Sequence, residues 1–276
     1  LSIQLAPHVS IAGSTEMCQG DSKPINFNVS RSNWPVSLDL ANDVNATVLN
    51  LTGITNGSTQ NLSPTQTSNY TIVSVADQSP LACPGTFSGS YEIEVIQLPT
   101  GSMSGPTQLC EGSSDFLTFT LNNGKNGYFV EYLENGVPKS FTVNGTNITH
   151  QISIAPNVTT TFQLVRISDL SGSSCSSTFS QTLTVNVVPL AKATLSSPSY
   201  LCEGSTGQLE INFQAGVGPF SATYTDGTSS FTEYNINPNR SITVAPSAST
   251  TYQLTSIVDA SSCATGTFTN NASINV

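Results

Sequence analysis

The chain has 276 residues, with only 7 Lys or Arg against 17 Asp or Glu and a formal charge of −10. That balance gives a nucleic-acid backbone or an anionic membrane surface nothing to hold, and no stretch is long and apolar enough to read as a membrane span. Ser and Thr account for 76 residues, so solubility rests on hydroxyls and amides, and both nucleic acid and direct membrane insertion are set aside as partners.

Six cysteines divide the chain into repeats. Cys18, Cys110 and Cys202 are 92 residues apart each time, and Cys83, Cys175 and Cys263 follow at 92 and then 88. Each leading cysteine opens a similar phrase, Cys18-Gln19-Gly20-Asp21, Cys110-Glu111-Gly112-Ser113 and Cys202-Glu203-Gly204-Ser205, so the period is written in local chemistry as well as spacing. Joints at Leu98-Pro99 and Val188-Pro189 give three modules, 1–98, 99–188 and 189–276, with Pro7 starting the first. Leu1-Ser2-Ile3 aligns with Ile93-Glu94-Val95, and Val276 with Val95 and Val187, as expected of a segment from a longer array. A module this small buries only about two thirds of its unfolded surface and gains from a neighbour or a crosslink.

The elements repeat in chain order. Seven, nine and eleven residues after the leading cysteine stand Ile25, Phe27 and Val29, then Leu117, Phe119 and Leu121, then Leu209, Ile211 and Phe213. Residues two apart share one face of a strand, which predicts three equivalent core-facing strands. A second alternation follows, with Val36, Leu38 and Leu40, then Tyr128, Val130 and Tyr132, then Phe220, Ala222 and Tyr224. Asn123-Gly124, Asn126-Gly127, Asn135-Gly136, Asn144-Gly145 and Asp226-Gly227 supply turn chemistry. An aromatic opens the penultimate strand in each copy at Tyr70, Phe162 and Tyr252. The last strand alternates Phe87, Tyr91, Ile93 and Val95, then Phe179, Leu183, Val185 and Val187, then Phe268, Ala272, Ile274 and Val276, which predicts one buried face.

About seven short strands per module and no helix signal predict an all-β chain of three tandem immunoglobulin-like antiparallel β-sandwiches. It departs from the antibody pattern, because Ile72, Leu164 and Leu254 stand where that pattern has its second cysteine, and Trp34 has no counterpart in the other repeats. Short Pro-containing joints predict an extended, semi-rigid rod of about 40 Å per module.

Evenly spaced cysteines without a Cys-x-x-Cys pair favour an oxidising, extracellular setting over zinc. Bonding within repeats (Cys18–Cys83, Cys110–Cys175, Cys202–Cys263) is the simple scheme. In an up-and-down sandwich, however, the leading cysteine sits where the chain leaves the module and the trailing one where it enters. A strand of about 25 Å separates them, whereas bridged Cα atoms come within about 7 Å. The preferred pairing is therefore between modules, Cys18 with Cys175 and Cys110 with Cys263, leaving Cys83 and Cys202 free here to pair with flanking repeats. A departure from standard strand order would restore the simpler scheme.

Residues for chemistry are sparse. No catalytic constellation, cofactor or metal site is read from the sequence, and the chain is expected not to be an enzyme. His8 and His150 occupy non-equivalent positions and read as surface residues. Glu92 and Glu94 share a strand face like a glycosidase pair but read as a solvated face. Asp77, Asp169 and Asp259 recur before the trailing cysteine, as Asx-type turns. Calcium at the module junctions, drawing also on Glu111 and Glu203, is the sharper alternative, although Gln19 replaces the glutamate in the first copy. Eleven Asn-x-Ser/Thr triplets, among them those at Asn45, Asn50, Asn56 and Asn144, are what so polar a composition produces by chance.

Cys-Glu-Gly-Ser at 110–113 and 202–205, Pro-x-x-x-Thr-Thr-x-x-Leu at 246–254 and Asp-Ala-Ser-Ser-Cys at 259–263 carry a resemblance. They resemble the Ig-like or PKD-like repeats of giant cell-surface adhesins of gliding bacteria, exported by the type IX secretion system. The first repeat departs from the pattern at Gln19-Gly20-Asp21 and over 64–70. The resemblance implies a non-enzymatic stalk on the cell surface that serves attachment and gliding. Its implied partners are the substratum, surface polysaccharide or other cell-surface components, and neighbouring repeats. The rival reading is a carbohydrate- or receptor-binding, lectin-like module, for which Trp34, Phe129 and Phe231 are the aromatics outside the core alternation.

Overall fold

The computed structural model describes residues 4–44, 48–261, 263 and 266–276. The alignment of Leu1-Ser2-Ile3 and the triplet at Asn45 fall outside these residues. Among the described residues every regular element is a β-strand.

The first module contains β1 (His8–Ser10), β2 (Gly13–Cys18), β3 (Lys23–Asn26), β4 (Asn28–Ser30), β5 (Val36–Asn42), β6 (Val48–Ile54), β7 (Thr59–Leu62), β8 (Ser68–Asp77), β9 (Thr86–Ser88) and β10 (Ser90–Ile96). One sheet runs β2-β10-β8-β5-β6; facing it, β1 lies between β4 and β9, and β3 pairs with β7. Between β6 and β8 the chain crosses to the other sheet for β7 and returns, the Greek-key crossing of an immunoglobulin-like sandwich. The opening strand divides too, since β2 joins the larger sheet and runs parallel to β10 with Cys18 opposite Ile96.

The second module repeats this plan with β11 (Thr100–Ser104), β12 (Gln108–Cys110), β13 (Asp115–Asn122), β14 (Tyr128–Glu134), β15 (Val137–Val143), β16 (Ile148–Ile154), β17 (Thr160–Asp169), β18 (Ser176–Thr178) and β19 (Thr182–Val188). Its sheets are β11-β13-β16 and β12-β19-β17-β14-β15. The third has β20 (Lys192–Ser196), β21 (Gly207–Ala215), β22 (Phe220–Thr225), β23 (Ser230–Ile236), β24 (Asn239–Val244), β25 (Thr250–Val258), β26 (Thr267–Thr269) and β27 (Asn271–Ile274), in sheets β24-β21-β20-β26 and β23-β22-β25-β27. A single parallel bridge, Tyr200 to Asn275, stands where β2 and β12 stand in the other modules.

Each module encloses its own apolar cluster, and the clusters break between Val95 and Met103 and between Val185 and Ala191. The alternating residues fill them: Phe27, Leu117, Phe119, Leu121, Tyr128, Leu209 and Ile211 are fully buried, and Val29 packs from the rim. The last strand does not keep one buried face. Phe87 is 44 % exposed, because the strand splits at Gly89 into β9 and β10, which serve different sheets, and Val276, beyond the end of β27, is 38 % exposed. Gly89 has φ +85°, and a Cβ there would lie 1.9 Å from the Ile11 carbonyl oxygen, so the two strands that change sheet cross at a point only glycine fits.

A β-bulge recurs in the penultimate strand of every module. Pairing slips between Asp39 and Leu40 on β5, between Glu131 and Tyr132 on β14, and between Thr223 and Tyr224 on β22. The slip leaves Val73, Val165 and Thr255 as the extra residues of β8, β17 and β25. One extra residue inverts the phase of alternation. Tyr70 and Ile72 point inward, then Val75 and Asp77 do; Phe162 and Leu164 are followed by Ile167 and Asp169. The bulge therefore turns an aspartate into the end of the sandwich.

Candidate functional site at the module junctions

Cys18 closes β2 opposite Ile96, beside the joint to the second module, and Cys175 lies in the loop between β17 and β18. A disulfide joins them with Cα atoms 5.4 Å apart, and a second joins Cys110 to Cys263 at 5.6 Å. Each links the outgoing end of one sandwich to the incoming end of the next, over sequence separations of 157 and 153 residues. Cys83 and Cys202 are not bonded within the chain.

The inward-turned aspartates build the loops that hold the trailing cysteines. Asp169 Oδ1 accepts from the Ser171 amide (3.2 Å), the Ser171 hydroxyl (2.7 Å) and the Cys175 amide (2.9 Å). Asp77 Oδ1 accepts from the Ser79 amide (3.3 Å), the Ser79 hydroxyl (2.7 Å) and the Cys83 amide (2.9 Å). Asp259 does the same for the Ser261 amide and hydroxyl, while the Cys263 amide turns to Ser261 Oγ at 3.4 Å. The second carboxylate oxygen differs between copies. Gln4 Nε2 donates to Asp77, the Val217 amide donates to Asp259 at 2.9 Å, and Asp169 Oδ2 is buried with no hydrogen-bond donor among the described residues. Burial opposes the charged forms of Asp77 and Asp259, but the serine and amide donors outweigh it and hold both carboxyls below the usual aspartate range.

Lys125 adds a second connection at the first junction. It sits between β13 and β14 in a loop tied down by Tyr128, whose hydroxyl donates to the Thr146 carbonyl and accepts the Gly124 amide at 3.0 Å. A side chain at Gly124 would meet the Tyr128 ring at 2.3 Å. The Leu170 amide donates to the Lys125 carbonyl at 3.1 Å, joining this loop to the cysteine loop. From there Lys125 Nζ reaches back to Glu16 (2.6 Å) and Glu94 (2.7 Å) of the first module, which are paired across β2 and β10. The hydrogen bond from Lys125 lowers the Glu16 pKa, and the bonds to Glu16 and Glu94 raise that of Lys125.

At the second junction Gln108, Asn186 and Val217 occupy the positions of Glu16, Glu94 and Lys125. A different contact is made there: Glu111 accepts the Leu190 amide at 3.2 Å and lies 3.5 Å from Lys192 Nζ.

These contacts revise the reading of the acidic residues. Glu94 is a half-buried junction residue rather than part of a solvated face, while Glu92 is exposed. The recurring aspartates spend their oxygens on loop donors, Glu203 is exposed, and no group of three or more His, Cys, Asp or Glu among the described residues is placed to hold a metal ion. His8 contacts Thr86 Oγ1 (2.9 Å) and Ser88 Oγ (3.3 Å) on β9, and His150 stacks on Phe141 with centroids 4.5 Å apart. Of the aromatics outside the core alternation, Phe129 is half-buried, Phe231 stacks on Tyr224 at 5.3 Å, and Trp34 is 48 % exposed at the incoming end of the first module. They lie in three separate modules and form no common platform.

No family model matches the chain, and no curated protein does. Among solved structures it is similar to the marsupial T cell receptor (12 % identity, 89 % of this chain and 95 % of that one, TM-score 0.43). It is also similar to immunoglobulin domains 1–5 of Sidekick-1 (11 %, 98 % of this chain and 59 % of that one, TM-score 0.39) and to E. coli alpha-2-macroglobulin in its native conformation (8 %, 99 % and 23 %, TM-score 0.27). The chain thus spans less than two thirds of the Sidekick-1 chain and about a quarter of the macroglobulin chain, and its immunoglobulin-like character rests on its own strand pairing.

Proposed function

We propose that the chain is a non-enzymatic, extracellular segment of a long adhesive filament, a stiff stalk that carries force between a cell surface and whatever its outer part grips. The observation that carries this reading is the pair of disulfides between consecutive modules, Cys18–Cys175 and Cys110–Cys263. A contact between small sandwiches ordinarily leaves relative motion as the default. Each disulfide lies beside a short joint, so two covalent tethers cross each junction and restrict both bending and twisting. Disulfides of this kind belong to an oxidising, extracytoplasmic compartment. Attachment and gliding at a cell surface are the roles that the resemblance to gliding-bacterial adhesin repeats adds.

Small-angle scattering with and without a mild reductant tests stiffness. The reading expects a narrow distribution of inter-module angles that broadens on reduction while each sandwich stays folded. An unchanged distribution would remove the mechanical role of the disulfides. A lectin-like function would show instead as saturable binding on a glycan array, lost on Trp34→Ala or Phe231→Ala.

A further inference from the structure

A cleft recurs at one place in all three modules, on the side where β6 and β7, β15 and β16, and β23 and β24 are the edge strands. Equivalent residues wall it: Leu40, Asn42 and Tyr70 in the first module, Tyr132, Glu134 and Phe162 in the second, Tyr224, Asp226 and Tyr252 in the third. Across the hairpin from Leu40, Tyr132 and Tyr224 stand Leu49, Lys139 and Phe231. The cleft lies on the flank of the sandwich. Only residues 40–70 line the first and 132–162 the second, although a further module is bonded to the outgoing end of each. A module following the third would leave its cleft open in the same way.

The three clefts differ in whether their polar groups are already satisfied. In the first, of about 290 Å³, Asn42 accepts the Val44 amide at 2.8 Å and is a hydrogen-bond partner of the Tyr70 hydroxyl. In the second, of about 170 Å³, Phe162 brings no hydroxyl and Lys139 Nζ lies 3.7 Å from Glu134. The third is the largest, at about 410 Å³. There Asp226 Oδ1 accepts the Thr228 amide (2.8 Å), the Thr228 hydroxyl (2.8 Å) and the Ser229 amide (2.7 Å), while Oδ2 has no partner among the described residues. The Ser229 and Thr228 donors hold this carboxyl below the usual aspartate range, so it is charged at neutral pH. Tyr224 and Tyr252 are 5 % and 6 % exposed; their hydroxyls have no hydrogen-bond partner among the described residues, yet neither is sealed from the cleft. Phe231, stacked on Tyr224, is 42 % exposed. No Lys or Arg lines the cleft among the described residues, and Glu233, further along β23, is taken by Arg240 at 2.9 Å.

We propose that the cleft of the third module is a receptor for an organic cation, an ammonium or guanidinium group on an apolar stem, with its N–H groups on Asp226 Oδ2 and the Tyr224 and Tyr252 hydroxyls and its body against Phe231. An uncompensated carboxylate beside an open aromatic face attracts such a group through both charge and the ring quadrupole. An anion meets repulsion there, and a neutral polar ligand leaves the Asp226 charge uncompensated. The stem fits Phe231 because Lys and Arg side chains, and amines of similar length, carry apolar carbons behind the charge. The first two modules lack the combination: the one has no acid in its cleft, and the other spans its acid with Lys139. The stalk reading does not require this site, which adds to one module of the stalk a lateral hold on cationic groups.

Titration of the isotope-labelled 276-residue chain with n-butylguanidinium, its neutral isostere n-butylurea, methyl glucoside and an acetyl-Gly-Arg-Gly-amide peptide, read from the amide NMR shifts of Gly227, Phe231 and Thr250, tests the site. The guanidinium and the peptide are expected to bind with a dissociation constant of order 1 mM, and the urea and the glucoside not to bind. Asp226→Asn keeps Oδ1 for the Thr228 and Ser229 donors, so the turn persists while binding weakens by about tenfold. Phe231→Ala should weaken it about twofold to fivefold, and Glu134→Gln in the second module should leave it unchanged. A peptide that binds more tightly than n-butylguanidinium assigns the cation to a polypeptide partner; equal affinities assign it to a free small molecule. Equal binding of n-butylurea, or binding undiminished in Asp226→Asn protein, would overturn the proposal. So would binding of methyl glucoside in place of the cation, or no shift up to about 50 mM of either cation. None of these results bears on the scattering measurement of stiffness, which concerns the internal junctions alone.

Discussion

The two internal junctions share their covalent tie and the aspartate-built loop beside it, and differ in their ion pairs. Both disulfides bring Cα atoms to nearly the same separation, 5.4 and 5.6 Å. The first junction adds Lys125 clamped between Glu16 and Glu94; the second has Gln108, Asn186 and Val217 at those positions and a Glu111–Lys192 contact on the joint itself. The repeated element sets where one module sits on the next. The variable element tunes how firmly it is held there and under what solution conditions, so modules of one architecture can supply joints of different compliance.

Removing the ties one at a time should separate these contributions most strongly. In Cys18→Ser/Cys175→Ser protein the Lys125 clamp remains, whereas in Cys110→Ser/Cys263→Ser protein only the Glu111 contacts remain. Scattering is expected to show a broader angle distribution for the second variant than for the first, and equal broadening would deny the clamp any role.

The cysteine loops give the next largest effect. Asp169→Ala strands the buried Ser171 and Cys175 donors and should destabilise the second module by about 2–3 kcal/mol in urea unfolding, with faster reduction of Cys18–Cys175. Asp169→Asn keeps Oδ1 as an acceptor and removes the carboxylate whose Oδ2 has no donor among the described residues, so its effect should be well below that of the alanine variant. Asp259→Ala should cost less than Asp169→Ala, because the Cys263 amide leans on Ser261 instead.

A pH titration acts on the first junction through its clamp. The Glu16 pKa is lowered in the closed junction, so its contribution is present above the ordinary carboxylate range and is lost as pH falls below about 4. The Lys125 pKa is raised, so its contribution holds at neutral pH and is lost only at strongly alkaline pH, above about 10.4. Fluorophore pairs across each junction should report loosening of the first in acid, abolished by Lys125→Met, with a smaller response at the second. The smallest effect is expected from transplantation: Gln108→Glu/Asn186→Glu/Val217→Lys should give the second junction the acid response of the first, weakened by added salt because its groups lie near the surface.

Much of this architecture is legible in the chain, and the limits are instructive. Alternation marks Phe27, Leu117 and Leu209 as inward because a strand with one wet face leaves no other choice. The two ends of an antiparallel sandwich also argue against a bond between Cys18 and Cys83 from strand order alone. The bulge is harder to read, since its trace is a single slip of phase between Ile72 and Val75, repeated between Leu164 and Ile167, and it changes what Asp77 and Asp169 face. The Lys125 clamp leaves no local trace at all. Its partners Glu16 and Glu94 lie in another module, on a face that alternation assigns to solvent, and only the stacking of one sandwich on the next brings them to it.

The interleaving of the disulfides also redraws the chain as a mechanical object. Cys18 and Cys202 are 184 positions apart along the backbone, yet the shortest covalent route between them crosses one disulfide and then only the 27 steps from Cys175 to Cys202. Residues 19–174, including most of the first and second sandwiches, hang off that route as a side loop. The route itself is largely β18, β19 and β20, already extended, and its full contour is about 90 Å. A pull along the array thus meets a nearly taut covalent cable. The sandwiches threaded beside it cannot give up their hidden length while the disulfide is intact, so the molecule behaves as a tie-rod and not as a string of shock absorbers.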